Sequence, residues 1–91
     1  MENGKNEDDY MTDKSIDFAE TIKLMRTTAG FTQQELAKKL NMPHQTLSSY
    51  ERNRNKPTLE LLTKIANACE FNITITDRNS NEKFVVVEKK Q

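Results

Sequence analysis

Apolar residues recur at helical spacing through the middle of this chain and at strand spacing near its end. Phe18, Ile22 and Met25 fall on one side of a helix of 3.6 residues per turn, as do Leu36, Ala37 and Leu40. Leu47 and Tyr50 mark a third, shorter stripe, and Leu59, Leu62, Ile65, Ala66 and Cys69 a fourth. After Phe71 the period drops to two. Ile73 and Ile75 alternate with Thr74 and Thr76, and the segment from Lys83 to Glu88 is rich in valine. The pattern predicts a mainly α fold of four helices followed by a C-terminal β-hairpin, with Asp77, Arg78, Asn79, Ser80 and Asn81 as its polar turn.

Local chemistry places the helix ends. Asp17 with Glu20, and Thr32 with Glu35, have the spacing of a capping box, in which each side chain satisfies a backbone amide at the other position. Gly30 ends the first helix, and Phe31 is expected to plug the core. Asn41 stops the second helix, since asparagine tolerates a left-handed backbone. Pro43 suits the first turn of the third, where an amide would lack a partner, so that helix is expected over Pro43 to Arg52. Two short helices joined by a tight turn between Thr32 and Arg54 form the arrangement of a helix-turn-helix reader of double-stranded DNA.

Burying Leu47 and part of Tyr50 directs His44, Gln45, Ser48 and Ser49 outward. These are short, hydrogen-bonding and mostly uncharged side chains. Glutamine can bond an adenine edge at two points, and serine or histidine can reach base edges or phosphates, as a helix in the major groove requires. Arg52, Arg54 and Lys56 follow in a polar loop suited to the phosphate backbone.

Three segments in order carry a family resemblance. IKLMRTTAGFTQQELAKKL resembles the first two helices and the Gly-aromatic turn of the Xre/Cro helix-turn-helix domains, HQTLSSYERN resembles their recognition helix, and KPTLELLTKIANAC resembles their fourth helix with its preceding proline. The resemblance covers residues 17 to 71, about 55 of the 91. It implies base reading by His44, Gln45 and Ser49, and phosphate contacts by Thr32, Gln33, Thr46, Arg52, Arg54 and Lys56. It also implies a structural ion pair, Arg26 with Glu51, tying the first helix to the recognition helix. Two positions depart from the family pattern: Pro43 replaces the usual serine or threonine cap, and Glu70 stands where glycine often ends the last helix.

The net charge of zero conceals an uneven distribution. Residues 1 to 14 carry two lysines against five acids, residues 15 to 70 eight cations against six acids, and residues 71 to 91 four against three. The acidic N-terminal segment, poor in apolar residues, reads as a disordered tail. The remainder is mildly basic, which predicts moderate non-specific DNA affinity and a shallow salt dependence for one subunit. The single Cys69 cannot form an internal disulfide and falls on an apolar helix face, as a core cysteine would. No apolar stretch approaches the roughly 20 residues of a membrane span, and the N-terminus lacks the form of a signal peptide. A cytoplasmic protein, encoded by a bacterium or a phage and not membrane-bound, is expected.

A lone hairpin is marginal in water, and the run FVVV would leave an apolar edge exposed. Pairing with a second copy removes that edge. Ile73, Ile75, Phe84, Val85, Val86 and Val87 are thus the candidate dimerisation residues within the segment 72 to 91. Such a dimer sets two recognition helices about 34 Å apart on a roughly palindromic operator. The strand-forming end resembles the Hip-type antitoxins, whose fourth helix also leads into a strand of a dimer sheet.

His44 is the sole histidine, with no cysteine or acid at a helical spacing that would activate a nucleophile or hold zinc, and two glycines cannot make a phosphate loop. No catalytic set, metal or cofactor is expected. Two functions, which do not exclude each other, are expected: a dimeric DNA-binding regulator acting as a repressor, and an antitoxin or other protein-interaction module that binds a partner toxin and autoregulates its operon.

Overall fold

A computed structural model describes residues 15 to 89. The acidic segment read as a disordered tail lies outside the described residues. Helix α1 spans Phe18–Ala29, α2 Gln33–Lys39, α3 His44–Glu51 and α4 Leu59–Ala68, and strands β1, Ile73–Thr76, and β2, Lys83–Val86, follow.

Both anticipated capping boxes form. Asp17 accepts from the Glu20 amide at 2.8 Å and Thr32 from the Glu35 amide at 3.1 Å, while each glutamate accepts from its partner's amide. Gly30 closes α1 at φ +86°, a left-handed geometry in which its amide hydrogen-bonds back into the last turn. Asn41 and Glu70 take the same region at φ +56° and +63°. Glu70 thus does at the end of α4 what glycine does elsewhere, with the added crowding of a Cβ.

Helix α3 starts one residue later than the sequence predicts. Pro43 is its N-cap, extended at ψ 142°, and offers no side-chain acceptor. Its carbonyl instead accepts from the amides of Thr46 at 3.1 Å and Leu47 at 3.5 Å. A proline ring can fix φ but cannot cap.

One core holds the helices together. Ile22, Met25, Leu36, Ala37, Leu47, Leu62, Ile65, Ala66 and Cys69 are buried, and Phe31, Leu40, Met42, Tyr50, Phe71 and Ile73 pack against them partly covered. Burial pushes the Cys69 thiol up, only weakly opposed by the charges of Arg26 and Lys39. Two residues of the apolar stripes stay outside. Phe18 is 50% exposed and Leu59 58% exposed. Each is the first residue of its helix, and the neighbouring Ala19 takes the buried place expected of Phe18. Periodicity gives the direction of a side chain, not whether another element reaches far enough to cover it.

The strands pair antiparallel in the register Ile73 with Val86, Thr74 with Val85, Ile75 with Phe84 and Thr76 with Lys83. Directly opposed residues share a face, so Ile73, Val86, Ile75 and Phe84 make one apolar face and Thr74, Val85, Thr76 and Lys83 the other. Ile73 and Val86 are half-buried at the base of the hairpin, whereas Ile75 and Phe84, nearer the turn, are exposed. The six residues assigned to dimerisation therefore do not form a single surface: Val85 faces away from Phe84, and Val87 lies beyond the end of β2.

Candidate nucleic-acid interface

Leu47 is fully buried and orients α3. The opposite side of the helix and the loop after it form a concave surface of about 430 Å³ lined by His44, Gln45, Ser48, Ser49, Arg52 and Arg54. The three expected base readers and two of the expected phosphate anchors thus meet on one surface. Gln45 is exposed, while His44 and Ser49 are half-buried.

Backbone bonds shape the edge of this surface. Arg52 closes α3 with its amide on the Ser48 carbonyl at 3.0 Å, Asn53 turns left-handed at φ +61°, and the Arg54 amide returns to the Ser49 carbonyl at 2.9 Å. That reversal keeps Arg52 and Arg54 beside the helix end with exposed side chains. Lys56 lies further along, its Nζ 3.5 Å from Asn53 Oδ1, and outside the concavity. Thr46 is half-buried within α3, and the Thr32 hydroxyl caps α2.

Arg26 and Glu51 form an ion pair between α1 and the end of α3. Arg26 Nε donates to Glu51 Oε2 at 2.6 Å and Nη2 to Oε1 at 3.0 Å, while Nη1 donates to the Phe31 carbonyl at 2.9 Å. The side chains are 12% and 4% exposed. Burial opposes ionisation of Glu51, but the hydrogen bonds from Arg26 and Gln33 and the nearby positive charge outweigh it and hold the carboxyl below the usual glutamate range. The same pairing, partly offset by burial, raises Arg26 further. Both stay charged at neutral pH.

Sequence reasoning did not foresee two contacts at this surface. Gln33, expected as a phosphate anchor, has its amide engaged within the protein: Nε2 donates to Glu51 Oε1 at 3.0 Å, and Oε1 lies 3.0 Å from His44 Nε2. Asn55 Nδ2 donates to the Ser49 hydroxyl at 2.7 Å, holding one expected base reader in place. A polar residue at the start of α2 signals nothing of such a bridge, because its partners are 11 and 18 positions away.

Among the described residues no group of three His, Cys, Asp or Glu side chains is placed to hold a metal ion, and no helix is long and apolar enough to cross a membrane.

A four-helix core carrying a short polar helix after a tight turn defines a helix-turn-helix protein, and the helix-turn-helix family model matches residues 22–75. The chain belongs to that family. Over 59 residues it is 39% identical to the antitoxin HipB of Escherichia coli K12, spanning 65% of this chain and 67% of HipB. It is 44% identical over 46 residues to the helix-turn-helix transcriptional regulator ImmR of Bacillus subtilis, covering 50% of this chain and 36% of ImmR. Among solved structures, HipB in a HipA–HipB–O2–O3 complex aligns with TM-score 0.58 at 35% identity, over 72% of this chain and 97% of that one. HipB in a complex with an O4 20-mer aligns at 0.57 and 34% identity, over 72% and 99%.

Proposed function

We propose that this chain is a sequence-specific, double-stranded DNA-binding transcriptional regulator, a dimeric repressor that lays α3 in the major groove of a roughly palindromic operator. The observation that carries this reading is the concave surface on which His44, Gln45 and Ser49 meet Arg52 and Arg54. The surface combines short hydrogen-bonding groups, which suit base edges, with guanidinium groups, which suit phosphates. Thr32, Thr46 and Lys56 extend the phosphate contacts along the groove. Residues 15 to 71 form the DNA-binding unit, and the hairpin within 72 to 91 joins two copies. The protein acts in the bacterial cytoplasm, without a cofactor and without catalysis.

Membership of the helix-turn-helix family and similarity to the transcriptional regulator ImmR support this reading. Its test is sequencing of genomic fragments retained by the purified full-length protein at moderate salt, beside Gln45→Ala. Enrichment of a palindrome, lost in the variant, is the expected result; no enrichment would refute the regulator.

The similarity to antitoxin HipB, and its occurrence in a complex with HipA, favours a second role beside the first. In that role the chain neutralises a partner toxin and represses its own operon. Co-expression with the neighbouring gene should then yield a stable two-chain complex, and a chain that always purifies alone would count against it.

A further inference from the structure

The polar chain from Arg26 to His44 has a fixed direction. Glu51, ionised and held by Arg26, can only accept hydrogen bonds. The group of Gln33 that faces Glu51 Oε1 at 3.0 Å must therefore be the amide nitrogen, because the reverse orientation would set two oxygens against each other. Gln33 Oε1 is then turned toward His44, 3.0 Å from Nε2, and a carbonyl oxygen can only accept. The proton of that bond belongs to His44 Nε2. Among the described residues Nδ1 makes no hydrogen bond, and a neutral imidazole with its proton on Nε2 has a lone pair at Nδ1. His44 lines both the concave outer surface of α3 and a second hollow formed by Arg26, Phe31, Gln33 and Gln34, so the same residue belongs to the relay and to the surface offered to DNA.

We propose that the Arg26–Glu51–Gln33 relay holds His44 as the Nε2–H tautomer, so that Nδ1 faces the operator as an acceptor and selects a base carrying an exocyclic amino group. In the major groove such groups are adenine N6 and cytosine N4, whereas guanine N7 and O6 and thymine O4 are acceptors that an unprotonated Nδ1 repels. On the contacted strand the preference is thus adenine or cytosine over guanine or thymine. Gln33, which need not touch a base, is a positioning residue for this selection. The inference rests on the DNA-binding reading for its base-selecting half, while its tautomer half concerns the free protein.

The experiment has two arms on full-length protein. Nitrogen-15 NMR of the neutral His44 ring should show Nε2 protonated and Nδ1 bare; Gln33→Leu, and Gln33→Ala as a second variant, should shift both nitrogens toward a tautomer mixture. Selection from randomised operators should show a position, lost in His44→Ala, at which adenine or cytosine is preferred about tenfold. Both Gln33 variants should flatten that position and spare the others. A wild-type ring protonated on Nδ1, tautomers unchanged by removing the amide, or guanine or thymine at the His44 position would overturn the proposal. If the wild-type protein enriches no sequence, the DNA-binding reading falls and takes base selection with it, while the NMR arm decides the relay separately.

Discussion

Arg26 and Glu51 lie 25 positions apart in sequence, yet Nε and Oε2 are 2.6 Å apart, and the pair joins α1 to the last residue of α3. The angle of the DNA-facing helix is therefore tied to the core through a largely covered ion pair. Breaking such a pair from one side leaves a charge without its partner, which costs about 3 kcal/mol or more. Arg26→Ala should lower the denaturant midpoint accordingly. Glu51→Gln also leaves the Arg26 cation without its counter-charge but should cost less, since the amide oxygen can still accept from the guanidinium, which keeps the Phe31 carbonyl as well.

The same pair sets an acid limit on stability. The Glu51 carboxyl is held below its ordinary value in the folded chain. Its contribution is complete above the unfolded glutamate value of about 4.3 and is lost as pH falls through the lower folded value. Urea melts from neutral pH downward should show this loss in the wild type and a flatter acid limb in Glu51→Gln.

Gly30 and Glu70 end their helices in the same left-handed region at φ +86° and +63°. A Cβ at Gly30 would meet nothing within 4 Å, so Gly30→Ala carries only the backbone strain, about 1 kcal/mol. Glu70→Gly removes that strain and should raise stability by about 0.5 kcal/mol, the remainder being offset by the greater freedom of glycine when unfolded. Thermal melts of the two variants should move in opposite directions.

These caps show what could be read in advance. Capping boxes, Gly30 and Asn41 are legible because their chemistry lies within four residues, and the four apolar stripes locate the helices for the same reason. The pair Arg26–Glu51 is legible only through family resemblance, since its members are too distant for local signals. The Gln33–His44 bridge and the Asn55–Ser49 contact are not legible: polar residues at such separations carry no pattern that distinguishes a partner from solvent. Strand alternation locates the hairpin, but the identity of its apolar face needs the register, which pairs Ile75 with Phe84 and turns Val85 away.

Exposed Ile75 and Phe84 sit side by side on the apolar face near the hairpin turn. If this face joins two copies, Phe84→Lys should convert a dimer into a monomer with unchanged helical circular dichroism. Sedimentation equilibrium checks the mass, and operator affinity should fall with it, because one subunit reads only half a site.

The central claim is that α3 reads bases while the loop after it holds phosphates. Its most direct test is equilibrium binding of wild type, Gln45→Ala and Arg54→Ala to the selected operator and to scrambled DNA across a salt series. The expected result is a loss of about 1 to 3 kcal/mol for Gln45→Ala on the operator alone. Arg54→Ala should weaken both DNAs similarly and reduce the salt slope by about one for each phosphate that the guanidinium no longer neutralises. Operator binding unchanged in both variants would contradict the assignment of this face to DNA.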